Sequence, residues 1–120
     1  MIKPNENESY QNYINRLLLR ENKKDKNFYQ EKHHIIPKCM GGTNDKENLI
    51  WLYPQEHYYA HKLLALENPK EKGLQYAWWN MCHCLFGERK YEVSAEEYAQ
   101  SREIFSKNIS AFMKERMNSD

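Results

Sequence analysis

The sequence predicts an α+β protein that is mostly helical and has a short β-hairpin followed by a helix at its core. Two runs of strand composition, residues 28–37 and 48–53, flank a segment rich in turn residues. Apolar residues recur at helical spacing in one segment before this hairpin and in three segments after it. The expected architecture is therefore a hairpin-plus-helix core, flanked by an N-terminal helix and two C-terminal helices.

The length and composition of the chain indicate one globular domain. At 120 residues the chain is long enough to bury a hydrophobic core, so we expect a single domain over residues 1–120. No segment resembles a signal peptide or is apolar over the length of a bilayer span. We therefore expect a cytoplasmic, intracellular protein, in which the three cysteines do not form disulfides.

The charge of the chain is unevenly distributed. The net charge of +1 is by itself a weak sign of nucleic-acid binding. Residues 1–38, however, carry eight Lys and Arg against five Asp and Glu, whereas residues 39–120 carry ten against twelve. The basic residues nearest the hairpin are Arg20, Lys23, Lys24, Lys26, Lys32 and Lys38. They form either a solvated loop or a surface that meets phosphates.

The first half of the chain supplies the N-terminal helix and the core. Apolar residues at helical spacing predict a helix over residues 8–20. Pro37 ends the first strand, and the Gly41-Gly42 pair begins the turn segment that leads to the second strand. Pro54 fits the first position of the helix that follows. The hairpin and this helix together form a core over about residues 28–67.

The second half is predicted to be a helical extension over about residues 68–117. Asn68-Pro69, as N-cap and first helical position, predicts a third helix that continues to about Phe86. Ser94, with Glu97 three residues later, forms a capping box for the last helix. The apolar face of that helix carries Tyr98, Phe105, Ile109, Phe112 and Met113.

Four of the five histidines lie in the predicted core. His57 and His61 are four residues apart and share one face of the helix. Successive strand residues point to opposite faces, so one of His33 and His34 faces that helix and the other is left for separate work. His33, His57 and His61 would supply three nitrogens and leave positions open for water or phosphate, as catalytic metal sites do. Such a donor set favours zinc, nickel or manganese over magnesium.

The segment Cys82-His83-Cys84 is a weaker metal candidate. Structural zinc sites usually place about two to four residues between paired cysteines, and only one residue separates this pair. These thiols are more typical of ordinary buried or half-buried side chains.

The histidines belong to a longer motif that resembles a known family. The motif reads Glu31-x-His33-His34-Ile35-x-Pro37, then Gly41-Gly42-Thr43-Asn44, Glu47-Asn48-Leu49 and His57-x-x-x-His61. In its order and spacing it is similar to the motif of the HNH endonucleases, which have the ββα-metal (His-Me finger) fold. Phage-type members of that family often add a helical segment similar to residues 91–117. The resemblance therefore covers most of the chain from Glu31 onward.

The resemblance implies a role for each matching residue. His34 matches the general base, which takes a proton from the attacking water. The metal ligands that it implies are His33, His57 and His61, with a contact to the phosphate as the other role for His61. Asn48 matches an asparagine that either ligates the metal or pins the loop that orients the base, and we expect the second role here. Glu31 matches an acidic position with a supporting role.

The activity implied by the resemblance is hydrolysis of DNA phosphodiester bonds with one divalent metal ion per site, namely Zn, Mn, Ni or Mg. His34 would activate water, and the metal would stabilise the scissile phosphate and the leaving group. The expected partners are DNA and either a second copy of the chain, forming a homodimer, or a separate targeting protein. The setting implied is a phage protein in a bacterial host.

Two alternatives stay open at this point. The first is a nuclease of the HNH type that acts on RNA. The second is a non-catalytic, zinc-stabilised module that binds nucleic acid, in which the histidines only join the hairpin to the helix. His34 would have no task in that module.

Overall fold

The computed structural model of the protein describes residues 1–83 and 90–118, with side chains for all of these except residue 105 and residues 108–118. Its helices and strands follow the predicted order. They are α1 (Tyr10–Leu17), β1 (Glu31–His34), β2 (Leu49–Leu52), α2 (Pro54–Glu67), α3 (Lys72–His83) and α4 (Ala95–Asn118). Two short 3₁₀ turns, Lys38–Met40 and Lys46–Asn48, lie between the strands. The predicted α+β fold is confirmed, with a hairpin and four helices that are consistent with a ββα-metal fold.

The register of the two antiparallel strands separates the adjacent histidines. His33 pairs with Ile50, and His34 pairs with Leu49. His33 and Ile50 are buried, and Ile50 packs with apolar residues of α2. Because side chains alternate between the faces of a strand, His34 and Trp51 lie on the outer face of the hairpin.

The start of α2 is fixed by Glu56, whose carboxylate is fully buried. Its Oε1 accepts a hydrogen bond from the backbone N–H of Tyr53, the residue before the helix, at 3.0 Å. The same carboxylate pairs with the guanidinium of Arg20 at 2.6 and 2.7 Å, and it accepts a bond from the N–H of Ile2 at 2.9 Å. A buried carboxylate needs such partners, so Glu56 ties the segment after α1 to the start of α2.

Two groups of buried residues hold α2 in place. The first joins α1, the hairpin, α2 and α3, and it contains Tyr10, Tyr13, Ile14, Leu17, Ile50, Leu52, Ala60, Leu64 and Leu74. The second joins α2 to α3 through Tyr58, Ala65, Trp78 and Cys82. The hydroxyl of Tyr58 also donates to Oε2 of Glu97 on α4 at 2.7 Å. The helix that carries two of the candidate site histidines is therefore packed against three others.

The first helix and the first strand are shorter than predicted. α1 begins two residues later, because Ser9 caps it by accepting a hydrogen bond from the N–H of Asn12 at 3.1 Å. It also ends three residues earlier than predicted. β1 ends at His34. Beyond it the backbone N–H of Ile36 donates to the side-chain Oδ1 of Asn48 at 2.8 Å instead of to a backbone oxygen of a partner strand.

The junction between α2 and α3 also differs from the prediction. Asn68 does not cap the third helix, because its Nδ2 donates to the carbonyl oxygen of Leu64 at 2.9 Å and so closes the end of α2. α3 therefore begins at Lys72, three residues later than predicted. Ser94 caps the last helix as predicted, since its Oγ accepts a bond from the N–H of Glu97 at 3.1 Å. The carboxylate of Glu97, which was predicted to complete a capping box, accepts from the hydroxyl of Tyr58 at 2.7 Å.

Some of the expected features lie outside the described residues. These are the end of the third helix near Phe86, the thiol of Cys84, and the side chains of Phe105, Ile109, Phe112 and Met113. Within residues 1–83 and 90–118, no helix is both long enough and apolar enough to cross a membrane. The single domain over residues 1–120, its division near residue 67 and the cytoplasmic location stay predictions.

Candidate metal centre

Three histidines converge between the hairpin and α2. His33 comes from β1, and His57 and His61 lie one turn apart on α2. One ring nitrogen from each lies within 4.8 Å of the others, and the ring centroids are separated by 4.8 to 5.1 Å. In the part of the chain that the structure describes, no other group of three or more His, Cys, Asp or Glu side chains is placed to hold a metal ion.

The spacing of the two nitrogens on α2 fits a tetrahedral ion. The Nε2 atoms of His57 and His61 are 3.1 Å apart. Two nitrogens bound to one tetrahedral zinc ion at the usual distances of about 2.0–2.1 Å lie roughly 3.3–3.4 Å from each other. A small shift of either ring would therefore let both nitrogens share one ion.

Glu31 determines which nitrogen of His57 faces the centre. Its Oε1 lies 3.1 Å from Nδ1 of His57. The hydrogen bond to His57 is the first cause that lowers the pKa of Glu31, so the carboxylate is ionised and can only accept. Nδ1 of His57 therefore carries a proton, and Nε2 keeps its lone pair. A carboxylate on the outer nitrogen of a histidine is a usual support of metal ligands.

Burial keeps the other two rings neutral. His33 is 2% exposed, and burial, followed by the charges of the neighbouring histidines, lowers its pKa well below the usual value. Burial and then the nearby His57 lower the pKa of His61 to about 3. Nδ1 of His61 is buried without a hydrogen-bond partner among the described residues. Neutral imidazole is the form that binds metal ions, so both rings suit a ligand role.

His34 lies outside this centre, on the outer face of the hairpin. Its Nε2 is 2.8 Å from Oδ1 of Asn44. Because an amide oxygen only accepts hydrogen bonds, Nε2 of His34 carries the proton and the lone pair of Nδ1 is left to take one. Asn44 belongs to the motif given above, but no role in the site was predicted for it. No spacing rule points to it, because the contact depends on the path of the loop.

Asn48 closes the loop that carries Asn44. Its Oδ1 accepts a hydrogen bond from the N–H of Ile36 at 2.8 Å, and its Nδ2 donates to the carbonyl oxygens of Ile36 at 3.0 Å and Thr43 at 2.8 Å. Gly42 lies against the same loop, where a Cβ would overlap the carbonyl oxygen of Ile36. The loop therefore depends on the amide of residue 48 and on the missing side chain at residue 42.

The outer face of the hairpin that carries His34 is basic. Lys32 and Trp51 are cross-strand neighbours, and the ammonium of Lys32 lies 5.3 Å from the centroid of the Trp51 ring. The ammonium of Lys24, from the loop before β1, lies 5.7 Å from the same ring. Arg20, by contrast, is committed to Glu56. Two ammonium groups over an aromatic ring suit contact with a phosphate backbone.

Cys39 and Cys82 are not part of this centre. Cys82 is buried, and its sulfur lies 3.7 Å from the hydroxyl of Tyr58. Cys39 is exposed, and neither thiol forms a disulfide within residues 1–83 and 90–118.

Comparison with known proteins gives the site a context. The family model described as HNH endonuclease matches residues 21–62, which include the hairpin, its loop and all four histidines of the core. "Probable mobile endonuclease D" of Enterobacteria phage T4 is 45% identical over 116 aligned residues, in a match that covers 92% of this chain. "Probable mobile endonuclease E" of the same phage is 39% identical over 101 aligned residues, in a match that covers 82% of this chain. "Probable mobile endonuclease B" is 41% identical over 93 residues.

These relatives differ in how much of their own length is matched. The chain spans 70% of the length of the second relative, but only 44% of the first and 34% of the third. No solved structure matches the chain.

Proposed function

Because the chain belongs to the HNH endonuclease family, we propose that it is a metal-dependent endonuclease that hydrolyses DNA phosphodiester bonds. One observation carries the proposal, namely the unequal placement of the four core histidines. Three of them bring ring nitrogens within 4.8 Å of one another, and His34 lies on the other face of the strand with one nitrogen bonded to Asn44. Hydrolysis of a phosphodiester requires a metal ion and a separate proton acceptor, and this division of the histidines offers ligands for the one and a candidate for the other.

The proposed metal ligands are His33, His57 and His61. HNH endonucleases are generally metal-dependent, and three neutral imidazoles favour zinc, nickel or manganese over magnesium. When bound, a divalent ion supplies Lewis-acid stabilisation of the charge that develops on the scissile phosphate and the leaving oxygen. We assign His61 to the metal rather than to the phosphate because its Nε2 faces that of His57 at 3.1 Å.

His34 is the proposed general base. Its Nε2–H donates to Asn44, so Nδ1 is the atom that takes the proton from the water attacking phosphorus. Asn48 supports this role indirectly, because its three hydrogen bonds shape the loop that carries Asn44. Glu31 supports the metal side by holding the ring of His57.

The proposed substrate is DNA, with Lys24 and Lys32 contacting its phosphates beside Trp51. A chain with one general base and one metal site would cleave one DNA strand at a time. A double-strand break would then need a homodimer or two successive nicks, and a separate targeting protein would supply a sequence address. The phage origin of the relatives supports activity in the cytoplasm of a bacterial host.

Cleavage of supercoiled plasmid in a series of Zn, Mn, Ni and Mg tests the proposal. We expect nicking by the wild type that a chelator abolishes. His34→Ala should lower turnover by about 10²- to 10⁴-fold while metal binding persists. His83→Ala is the matched control, since His83 packs on α3 against Trp79 and Tyr98, with ring centroids 4.4 and 4.3 Å away. It should cleave at the wild-type rate.

Three results would contradict parts of this proposal. Cleavage by His34→Ala at the wild-type rate would remove His34 as the base. Preferential cleavage of structured RNA over plasmid and single-stranded DNA would change the substrate. A wild type that unfolds in chelator but cleaves no nucleic acid would be the non-catalytic zinc-stabilised module.

A further inference from the structure

The hydroxyl of Tyr10, on α1, lies between two polar groups. One is the ring of His33 in β1, and the other is the backbone carbonyl of Ile35, just after β1. The hydroxyl oxygen is 2.8 Å from Nε2 of His33 and 2.6 Å from the carbonyl oxygen of Ile35. Tyr10 is 7% exposed and His33 is 2% exposed, so no bulk water competes for these bonds. Tyr10 lies outside the matched residues 21–62, and none of the roles assigned above involves it.

The direction of both hydrogen bonds of the Tyr10 hydroxyl follows from the number of protons available. A tyrosine hydroxyl has one proton to give, and a carbonyl oxygen can only accept. The 2.6 Å contact with Ile35 therefore uses the hydroxyl proton. The proton in the 2.8 Å contact must then come from the ring, so Nε2 of His33 is the donor. The opposite arrangement would leave two buried oxygens facing each other without a proton, which costs free energy.

We infer that Tyr10 is a positioning residue of the metal centre, which holds His33 in its Nε2–H tautomer so that His33 binds the metal through Nδ1. This inference rests on the metal-binding part of the proposed function. Glu31 acts in the opposite sense on His57, where Nδ1 is protonated and Nε2 faces the centre. The donor set is thus mixed, with Nδ1 from the strand and Nε2 from the helix.

The position of Tyr10 is fixed at its backbone as well as at its hydroxyl. The backbone N–H of Tyr10 donates to Oε2 of Glu67 at 2.6 Å, at the end of α2. α2 also carries His57 and His61, so Tyr10 contacts the two elements that supply the metal ligands. Removing its hydroxyl would leave Nε2–H of His33 without an acceptor, and the ring would lose its preference for one tautomer.

The test compares Tyr10→Phe with Tyr13→Phe. Tyr13 is the matched control, because it is a buried tyrosine of the same helix whose hydroxyl donates to the carbonyl oxygen of Ile2 at 2.6 Å. Two quantities are measured. The first is the Zn²⁺ affinity, by competition with a chelating dye. The second is the ring nitrogen shifts of His33 in metal-free protein with ¹⁵N-labelled histidine, which distinguish the two tautomers.

We expect Tyr10→Phe to lower the Zn²⁺ affinity by about 10- to 100-fold, and Tyr13→Phe to leave it unchanged. The wild type should show a protonated Nε2 on His33. An unchanged affinity in Tyr10→Phe, an equal loss in both variants, or a protonated Nδ1 in the wild type would overturn the inference. The nitrogen shifts need no variant, so the last result applies even if Tyr10→Phe does not fold.

Neither measurement uses DNA, so the inference and the proposed nuclease activity can fail separately. A wild type that binds Zn²⁺ in the expected tautomer but leaves plasmid intact would contradict the activity alone. A wild type that cleaves plasmid while Tyr10→Phe keeps its full Zn²⁺ affinity would contradict the inference alone.

Discussion

Oδ1 of Asn44 lies 2.8 Å from Nε2 of His34, so a loop amide holds the ring that we propose as the general base. Removing one such hydrogen bond costs about 1–1.5 kcal/mol, which corresponds to roughly tenfold in rate. We therefore expect Asn44→Ala to lower kcat on plasmid about tenfold without changing KM. Asn44→Asp keeps an acceptor oxygen at this position and should restore most of kcat. Equal losses in the two variants would show that Asn44 acts only on the shape of the loop.

Gly42 is expected to be a position at which the loop does not tolerate a side chain. A Cβ at this position would overlap the carbonyl oxygen of Ile36, which also accepts from Asn48. We expect Gly42→Ala to lower the free energy of unfolding by about 1–3 kcal/mol and the cleavage rate by about 10²-fold. Urea denaturation and plasmid cleavage measure the two effects.

Gly73→Ala is the control for this substitution. Gly73 lies in α3, where a Cβ would meet only Cys39 at an ordinary 3.5 Å. Alanine is the better helix former, so this variant should be as stable as the wild type or gain up to about 1 kcal/mol. Equal stability losses at both glycines would contradict the account of the loop.

Lys24 and Lys32 should contribute to DNA affinity through their charge. Each lysine that neutralises a phosphate adds about 0.9 to the slope of log affinity against log salt. We expect Lys24→Gln and Lys32→Gln each to reduce that slope by about this amount. The slope is measured by fluorescence anisotropy on labelled duplex, with both substitutions made in the slowly cleaving variant His34→Ala. Lys107→Gln is the control, because Lys107 is exposed on α4 and pairs with Glu103 at 2.9 Å. Unchanged slopes for Lys24 and Lys32 would place the DNA elsewhere.

The pair of Arg20 and Glu56 should make stability depend on pH. Burial alone would raise the pKa of Glu56, but hydrogen bonds from Arg20, Ile2 and Tyr53 outweigh it and lower that pKa. Stability from a lowered carboxylate pKa is fully present above the unfolded value of about 4.3 and is lost as the pH falls through the folded value. Arg20→Met should therefore lower the free energy of unfolding by about 3 kcal/mol at pH 7.

Urea denaturation at pH 7 and near pH 3.5 measures this dependence. The difference between Arg20→Met and the wild type should shrink at the lower pH. In the variant Glu56 takes up a proton and no longer carries an unpaired buried charge, whereas in the wild type the ion pair contributes less as the pH falls below the unfolded pKa of Glu56. The exposed pair of Lys107 and Glu103 gives the comparison, and Lys107→Met should change stability little at either pH. A difference that stayed constant with pH would show that Arg20 stabilises through packing alone.

Local periodicity predicts most of the arrangement around the candidate metal centre. A strand alternates every two residues, so His33 and His34 must separate, and a helix places His57 and His61 on one face. The structure has both features. The catalytic and ligand roles of these residues stay predictions. The same local rules failed at Asn68, which could cap the end of one helix or the start of the next. Its contact with Leu64 decides between them.

The supporting residues could not be predicted in the same way. Tyr10 is 23 residues from His33 in sequence, and Arg20 is 36 residues from Glu56. Each pair meets only because α1 packs on α2 and the hairpin. In the sequence, Tyr10 is one more apolar position of an amphipathic helix and Arg20 is one more charge of a basic loop. Nothing in their spacing separates these two from their neighbours.

The position of Tyr10 and Arg20 also limits how the proposed nuclease core can be moved into other proteins. Both precede residues 21–62, the range that matches the family. A fusion cut at that boundary would carry every proposed metal ligand and the proposed base. It would lack the hydroxyl that holds His33 and the guanidinium that pairs with buried Glu56. The portable unit therefore begins before the motif, with the helix that starts at Tyr10.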